Sequence, residues 1–100
     1  MTDEYLNELI ERGFADEAAV AADVSYDGKT GVLCVNGEVV TLVSGDPPQK
    51  AMSDTIDKLS NLTVKSGLFK KTVAFEHGGT RYVFTVKNGK NLIEYFKLIG

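Results

Sequence analysis

The side chains from which acid–base or nucleophilic chemistry would be built are few in this 100-residue chain: one histidine, one cysteine and some carboxylate pairs. A general base needs an orienting partner and a cleft, whereas His77 is flanked by Glu76, Gly78 and Gly79, the residues of an exposed turn. It reads as a surface histidine. Cys34 lies between Leu33 and Val35 with no adjacent cation to lower its pKa, so it reads as an inert strand thiol. Alone, it forms neither an intramolecular disulfide nor the usual four-ligand zinc site. Glu8 with Glu11, and Asp54 with Asp57, have helical spacing but lack the apolar neighbours that raise a catalytic pKa, so they read as solvated faces. Gly28-Lys29-Thr30-Gly31 and Ser66-Gly67 lack the glycine spacing and following helix of nucleotide loops. No catalytic, cofactor-binding or metal-binding residue is therefore expected, and neither an enzyme nor a small-molecule substrate is the reading. What remains is basic: Lys65, Lys70 and Lys71 surround Gly67-Leu68-Phe69. Lysines commonly guard strand edges. The sharper alternative is an anion or membrane-surface contact through Lys65, Phe69, Lys70 and Lys71.

The composition bounds the setting for these residues. One hundred residues make one small domain. With 43% hydrophobic and 25% charged residues, the chain matches average soluble proteins rather than disordered or membrane ones. A net charge of −3 and a pI near 5.0 argue against a dedicated nucleic-acid binder. No run approaches the roughly 18 apolar residues of a spanning helix. The acidic start Met1-Thr2-Asp3-Glu4 lacks the features of a signal peptide, and a lone cysteine suits a reducing compartment, so a cytoplasmic location is expected. Charge divides the chain: residues 1–27 sum to −7 and residues 28–100 to +4. The acidic part is either a helix face in water or a surface that docks on the basic part or on a partner.

The elements emerge from periodicity and punctuation. Thr2 can cap a first helix that Gly13 stops, with Tyr5, Leu6, Leu9 and Ile10 on one face and Phe14 placed to fold back on it. A helix of about ten residues is marginal alone in water, so Leu6, Leu9 and Ile10 must meet a partner surface. Residues 15–22 suit helix by their alanines, or strand by the alternation of Asp23-Val24-Ser25-Tyr26 beyond them, with strand favoured from about Val20. Asn36-Gly37 between two β-branched runs predicts a hairpin in which Leu33 faces Val40, with Leu33, Val35, Val40 and Leu42 on the inner face. Gly45-Asp46-Pro47-Pro48-Gln49 reads as a loop at which strand pairing stops, since two prolines remove two donors. Thr55 to Val64 obeys no clean period and reads as a bulged or bent strand. Gly78-Gly79 predicts a second hairpin pairing Glu76 with Arg81, Phe75 with Tyr82 and Val73 with Phe84. Asn91 and Glu94 make a capping box for a last helix whose Leu92, Tyr95, Phe96 and Ile99 share a face. The expected fold is α+β: a bent antiparallel sheet, a half-barrel of about seven strands, capped by a C-terminal helix and preceded by an amphipathic helix. The natural division is residues 1–14 for that helix and residues 15–100 for the domain.

This order of elements resembles the bacterial pleckstrin-homology-like and GRAM-like families. Gly31-Val32-Leu33-Cys34-Val35 with Val39-Val40-Thr41-Leu42-Val43 is similar to their second hairpin, and Ile56-Asp57-Lys58-Leu59 to the run entering their central strands. The likeness is strongest from Leu62-Thr63-Val64-Lys65-Ser66-Gly67-Leu68-Phe69 through Val73-Ala74-Phe75, Tyr82-Val83-Phe84 and the last helix. It covers roughly residues 16–100 and leaves out the first helix. The resemblance implies a non-catalytic module that presents a sheet edge, loops and a helix to lipids, peptides or copies of itself. Members that grip phosphoinositides carry several cations on their first two strands. Here only Lys29 stands there, beside Asp27 and near Asp23. The expected partner is thus a protein or a second copy in a homo-oligomer, met through Leu6, Leu9 and Ile10 of the first helix and the sheet edge; an anionic membrane surface is the alternative.

Overall fold

The structure, a computed structural model, describes residues 3–15, 20–45, 47–68, 70–87 and 90–99. Helix α1 (Asp3–Glu11) is followed by strands β1 (Val20–Tyr26), β2 (Lys29–Asn36), β3 (Val39–Ser44) and β4 (Gln49–Thr55), and by a single 3-10 turn (Ile56–Lys58). Strands β5 (Ser60–Ser66), β6 (Lys71–His77) and β7 (Thr80–Lys87) then lead to helix α2 (Lys90–Ile99). All seven strands form one antiparallel sheet in the order β4-β3-β2-β1-β7-β6-β5.

That order forces the sheet to bend. The two edge strands, β4 and β5, are consecutive in the chain and are separated by residues 56–59 alone. Seven strands about 4.8 Å apart would set the edges of a flat sheet about 29 Å from each other. Four linking residues span at most about 18 Å. The sheet therefore curls, and the molecule is nearly isometric at 31 × 29 × 26 Å. The concave side holds Leu33, Val35, Val40, Leu42, Phe75 and Phe84, closed by Leu92, Ile93 and Phe96 of α2. The inner face expected from the first hairpin is the one observed.

Its register differs by one step. Val35 pairs with Val40 and Asn36 with Val39, so the two-residue loop is Gly37-Glu38 rather than Asn36-Gly37. Gly37 takes φ +58 at the first central position, the form of hairpin turn that needs glycine only there. The shift moves partner sums by two, so each side chain keeps its face. At the second hairpin all three expected pairs form around Gly78 and Gly79, both at positive φ.

Three further expectations change. Pairing resumes at Gln49 immediately after the prolines, so the polar run Gln49–Thr55 is a strand, with Met52 its buried side chain. The irregular stretch from Thr55 is not one strand. It ends β4, makes the 3-10 turn and then enters β5, whose register shifts between Ser60 and Thr63 around Asn61 at φ +51. Helix α2 starts at Lys90, which puts Asn91 inside its first turn rather than at its cap. Thr2 and residues 16–19 lie outside the described residues.

The core and the surface of the second hairpin should respond very differently to truncation. Phe84 is fully buried, with ring centroids 5.4 Å from Tyr26, 5.4 Å from Phe75 and 5.8 Å from Tyr82. The Arg81–Glu76 pair is 3.6 Å apart and open to solvent. Phe84→Ala is expected to lower unfolding free energy by about 3–5 kcal/mol in denaturant melts, and Arg81→Ala by about 0–1 kcal/mol. A larger loss for Arg81→Ala would contradict the assignment of the inner face.

Candidate functional site

The first helix finds its partner surface within the chain. Gly13, at φ +76, donates its N–H to Ile10 O (3.1 Å), and Phe14 donates to Leu9 O (2.9 Å), the paired bonds of a glycine-terminated helix. This stop returns Phe14 to the helix face. Leu9, fully buried, packs with Ala15 against Val32, Cys34 and Val43 on the convex side of β2 and β3; Ile10 and Phe14 flank it. Leu6 is half-buried. Tyr5 O–H donates to Gly45 O (3.1 Å), and Asn36 Nδ2 donates to Phe14 O (3.3 Å). Burial pushes the Cys34 thiol up to about 11, which keeps it protonated and unreactive.

His77 is not the free surface group its neighbours suggest. It is half-buried, with Nε2 3.0 Å from Asp54 Oδ2, so the end of β6 is tied to β4 across the bend. The bond from His77 holds the Asp54 carboxyl below the usual carboxylate range, helped by Thr55 N–H on Oδ1 (2.8 Å). Asp57, paired with Asp54 by spacing alone, instead accepts a bond from Thr55 Oγ1. No sequence rule links positions 23 apart, and this contact was not legible. Among the described residues, no three His, Cys, Asp or Glu side chains gather as a metal site.

The basic segment is less of a loop than its lysines imply. Lys65 lies on β5 opposite Thr72, and Lys71 opens β6 opposite Ser66. Gly67 N–H bonds Lys70 O (2.8 Å) and tightens the connection. Lys65 and Lys70 are exposed, Lys71 is half-buried, and Leu68 is 96% exposed. Phe69 lies outside the described residues.

Among the described residues, two grooves stand out. One, of about 490 Å³, runs beside α1 and is lined by Tyr5, Asp23, Ser25, Thr30 and Lys87 among others; Asp23 and Lys87 are direct cross-strand partners. Three hydroxyls and an opposed charge pair give it a mixed polar character with no single sign. The other, of about 440 Å³, lies between the free edge of β5 and helix α2, lined by Leu62, Thr63, Val64, Lys65, Phe96 and Lys97. Strand β5 pairs with β6 on one side only, so along its other side alternate residues direct N–H and C=O groups outward. Edge hydrogen-bonding groups, an apolar floor and two lysines coincide there. Among known proteins, the chain matches no family model, no curated protein and no solved structure. No helix among the described residues is long and apolar enough to cross a membrane.

The Asp54–His77 tie has a testable pH signature. A carboxyl held below its unfolded value of about 3.9 contributes stability that is present above that value and lost as pH falls through the lowered folded value. Melting temperature measured from neutral pH down to about pH 2.5 should therefore drop more steeply for the wild type than for Asp54→Asn, the curves converging at the acid end. Parallel curves would contradict the tie.

Proposed function

We propose that this chain is a small non-catalytic interaction module of pleckstrin-homology-like type. It binds another protein, or a second copy of itself, by accepting an extended segment along the β5 edge. One observation carries the reading: the free edge of β5 opens onto a groove walled by α2, with Phe96 beneath it. An added strand gains main-chain hydrogen bonds from the edge, and alternate side chains find an apolar seat. The opposite edge, β4, exposes Gln49, Lys50, Ala51 and Ser53, with Lys50 Nζ 5.5 Å from the centre of the Phe14 ring. The sheet order and the closing helix support the family reading, and the use of Leu9 on the protein's own sheet moves the partner contact away from α1. A cytoplasmic setting accords with the single buried cysteine.

One feature favours a second reading, an anionic membrane surface: Leu68 stands 96% exposed between Lys65 and Lys70. Each lysine near such a surface contributes on the order of 1 kcal/mol, so three give weak, reversible binding. No co-sedimentation with phosphatidylserine vesicles is expected at physiological salt. Sub-micromolar binding that is lost when Lys65, Lys70 and Lys71 are changed to Glu would favour the membrane.

Strand addition is tested by selecting displayed random peptides on the folded domain and mapping amide hydrogen exchange with a selected peptide bound. Protection should appear along residues 62–66 and leave residues 50–53 of β4 unchanged. Protection confined to β4 or to α1 would contradict the reading.

A further inference from the structure

We infer that the segment received by the β5–α2 groove is acidic, alternating carboxylates with apolar residues. The inference rests on the strand-addition reading and deepens it. An extended strand sends successive side chains to opposite faces. On β5, Leu62 and Val64 turn to the inner side and pack against the core, while Thr63 and Lys65 are exposed on the outer side. A strand added alongside reproduces this alternation. Its inward residues meet the half-buried Leu62 and Val64, over the buried Phe96, an apolar seat that suits a Val, Ile or Leu side chain. Its outward residues lie beside Thr63 and Lys65.

Charge then selects among such strands. Both charged side chains that line the groove, Lys65 and Lys97, are exposed lysines, one on each wall. Among the described residues, no carboxylate lines it. The nearest acid on the neighbouring strand, Glu76, is engaged with Asn61 Nδ2 and Arg81 at the far end of β5. On α2, Glu94 is exposed and is not part of the groove lining. An incoming outward Asp or Glu beside Lys65 makes a favourable cross-strand pair, and Lys97 on the inner wall adds positive potential at the groove mouth; a lysine at the outward place is repelled. The β5 bulge at Asn61 and the guarding Lys65 discourage indiscriminate pairing of neutral strands, which sharpens the preference.

The experiment uses the full chain and three ten-residue peptides blocked at both ends, alternating Val with Glu, with Ser or with Lys. Affinity is measured at about 50 mM and 300 mM salt, and amide exchange is followed on β5. The Glu peptide is expected to bind roughly five- to tenfold more tightly than the Ser peptide at low salt, with the advantage shrinking at high salt. The Lys65→Glu/Lys97→Glu double variant, checked for an unchanged melting temperature, is expected to prefer the Lys peptide. Equal binding of Glu and Ser peptides, with β5 amides protected by both, would overturn the acidic preference and leave strand addition standing. If no peptide protects β5, both readings fall. Two other occupants have their own signatures, and either would overturn the proposal. One is concentration-dependent dimerisation in sedimentation that the double variant abolishes without any peptide binding, which would assign the groove to a second copy. The other is Lys65-dependent vesicle binding without peptide binding, which would assign its lysines to a membrane.

Discussion

Strands β2 and β3 are apolar on both faces, and the rest of the molecule is arranged to cover them. Val32, Leu33, Cys34 and Val35 are consecutive and all buried, as are Val40, Thr41, Leu42 and Val43. Because side chains alternate, such a run cannot be sheltered from one side. The concave side is closed by the curled sheet and α2, and the convex side by α1 through Leu9, Ile10 and Phe14. Thr41, the buried polar residue of the pair, bonds its hydroxyl to Ser53 Oγ at 2.9 Å and so carries no unsatisfied group. The convex side of β5 to β7 is more polar: it carries exposed Thr63, Lys65, Arg81, Val83 and Lys87, with the small Ala74 buried on β6.

Covering β2 and β3 in this way leaves the two edges open, and both edges are modified. Strand β4 carries a register irregularity opposite Leu42 and Val43 and exposes Lys50; strand β5 carries its own near Asn61 and exposes Lys65. Bulges and lysines blunt an edge against unselective pairing. Beside β5, helix α2 adds a floor and a second cation. The proposed selectivity of this edge follows from a bulge and lysines that oppose general pairing and an α2 groove that favours one kind of strand. The Asp54–His77 contact and the short turn between β4 and β5 hold the bend that brings the two edges together.

Local chemistry made part of this visible in the sequence. The second hairpin was legible because a Gly-Gly turn and three complementary pairs agree on one register, and the glycine stop of α1 because Phe14 follows Gly13. The seat of α1 left a signal too: four consecutive apolar residues at Val32–Val35 require a second cover. Strand β4 was hidden because its single buried side chain is Met52 in a polar run, and an edge strand needs only one apolar face. The first hairpin slipped because Gly37 alone, at the first central position, satisfies the turn that Asn36 and Gly37 together suggested. The Asp54–His77 contact and the meeting of Val64 with Phe96 are products of the bend, and neither leaves a pattern in linear spacing.

That α1 is the necessary cover of the convex face is most directly tested by the rate at which a thiol reagent modifies Cys34 under native conditions. The side chain lies fully buried on the face that Leu9 covers. In the intact chain the thiol should react only through rare opening, and Leu9→Ala should speed the reaction by more than about tenfold while the sheet's circular dichroism is unchanged. Equal rates in the two proteins, or wild-type modification as fast as in the unfolded chain, would contradict the account.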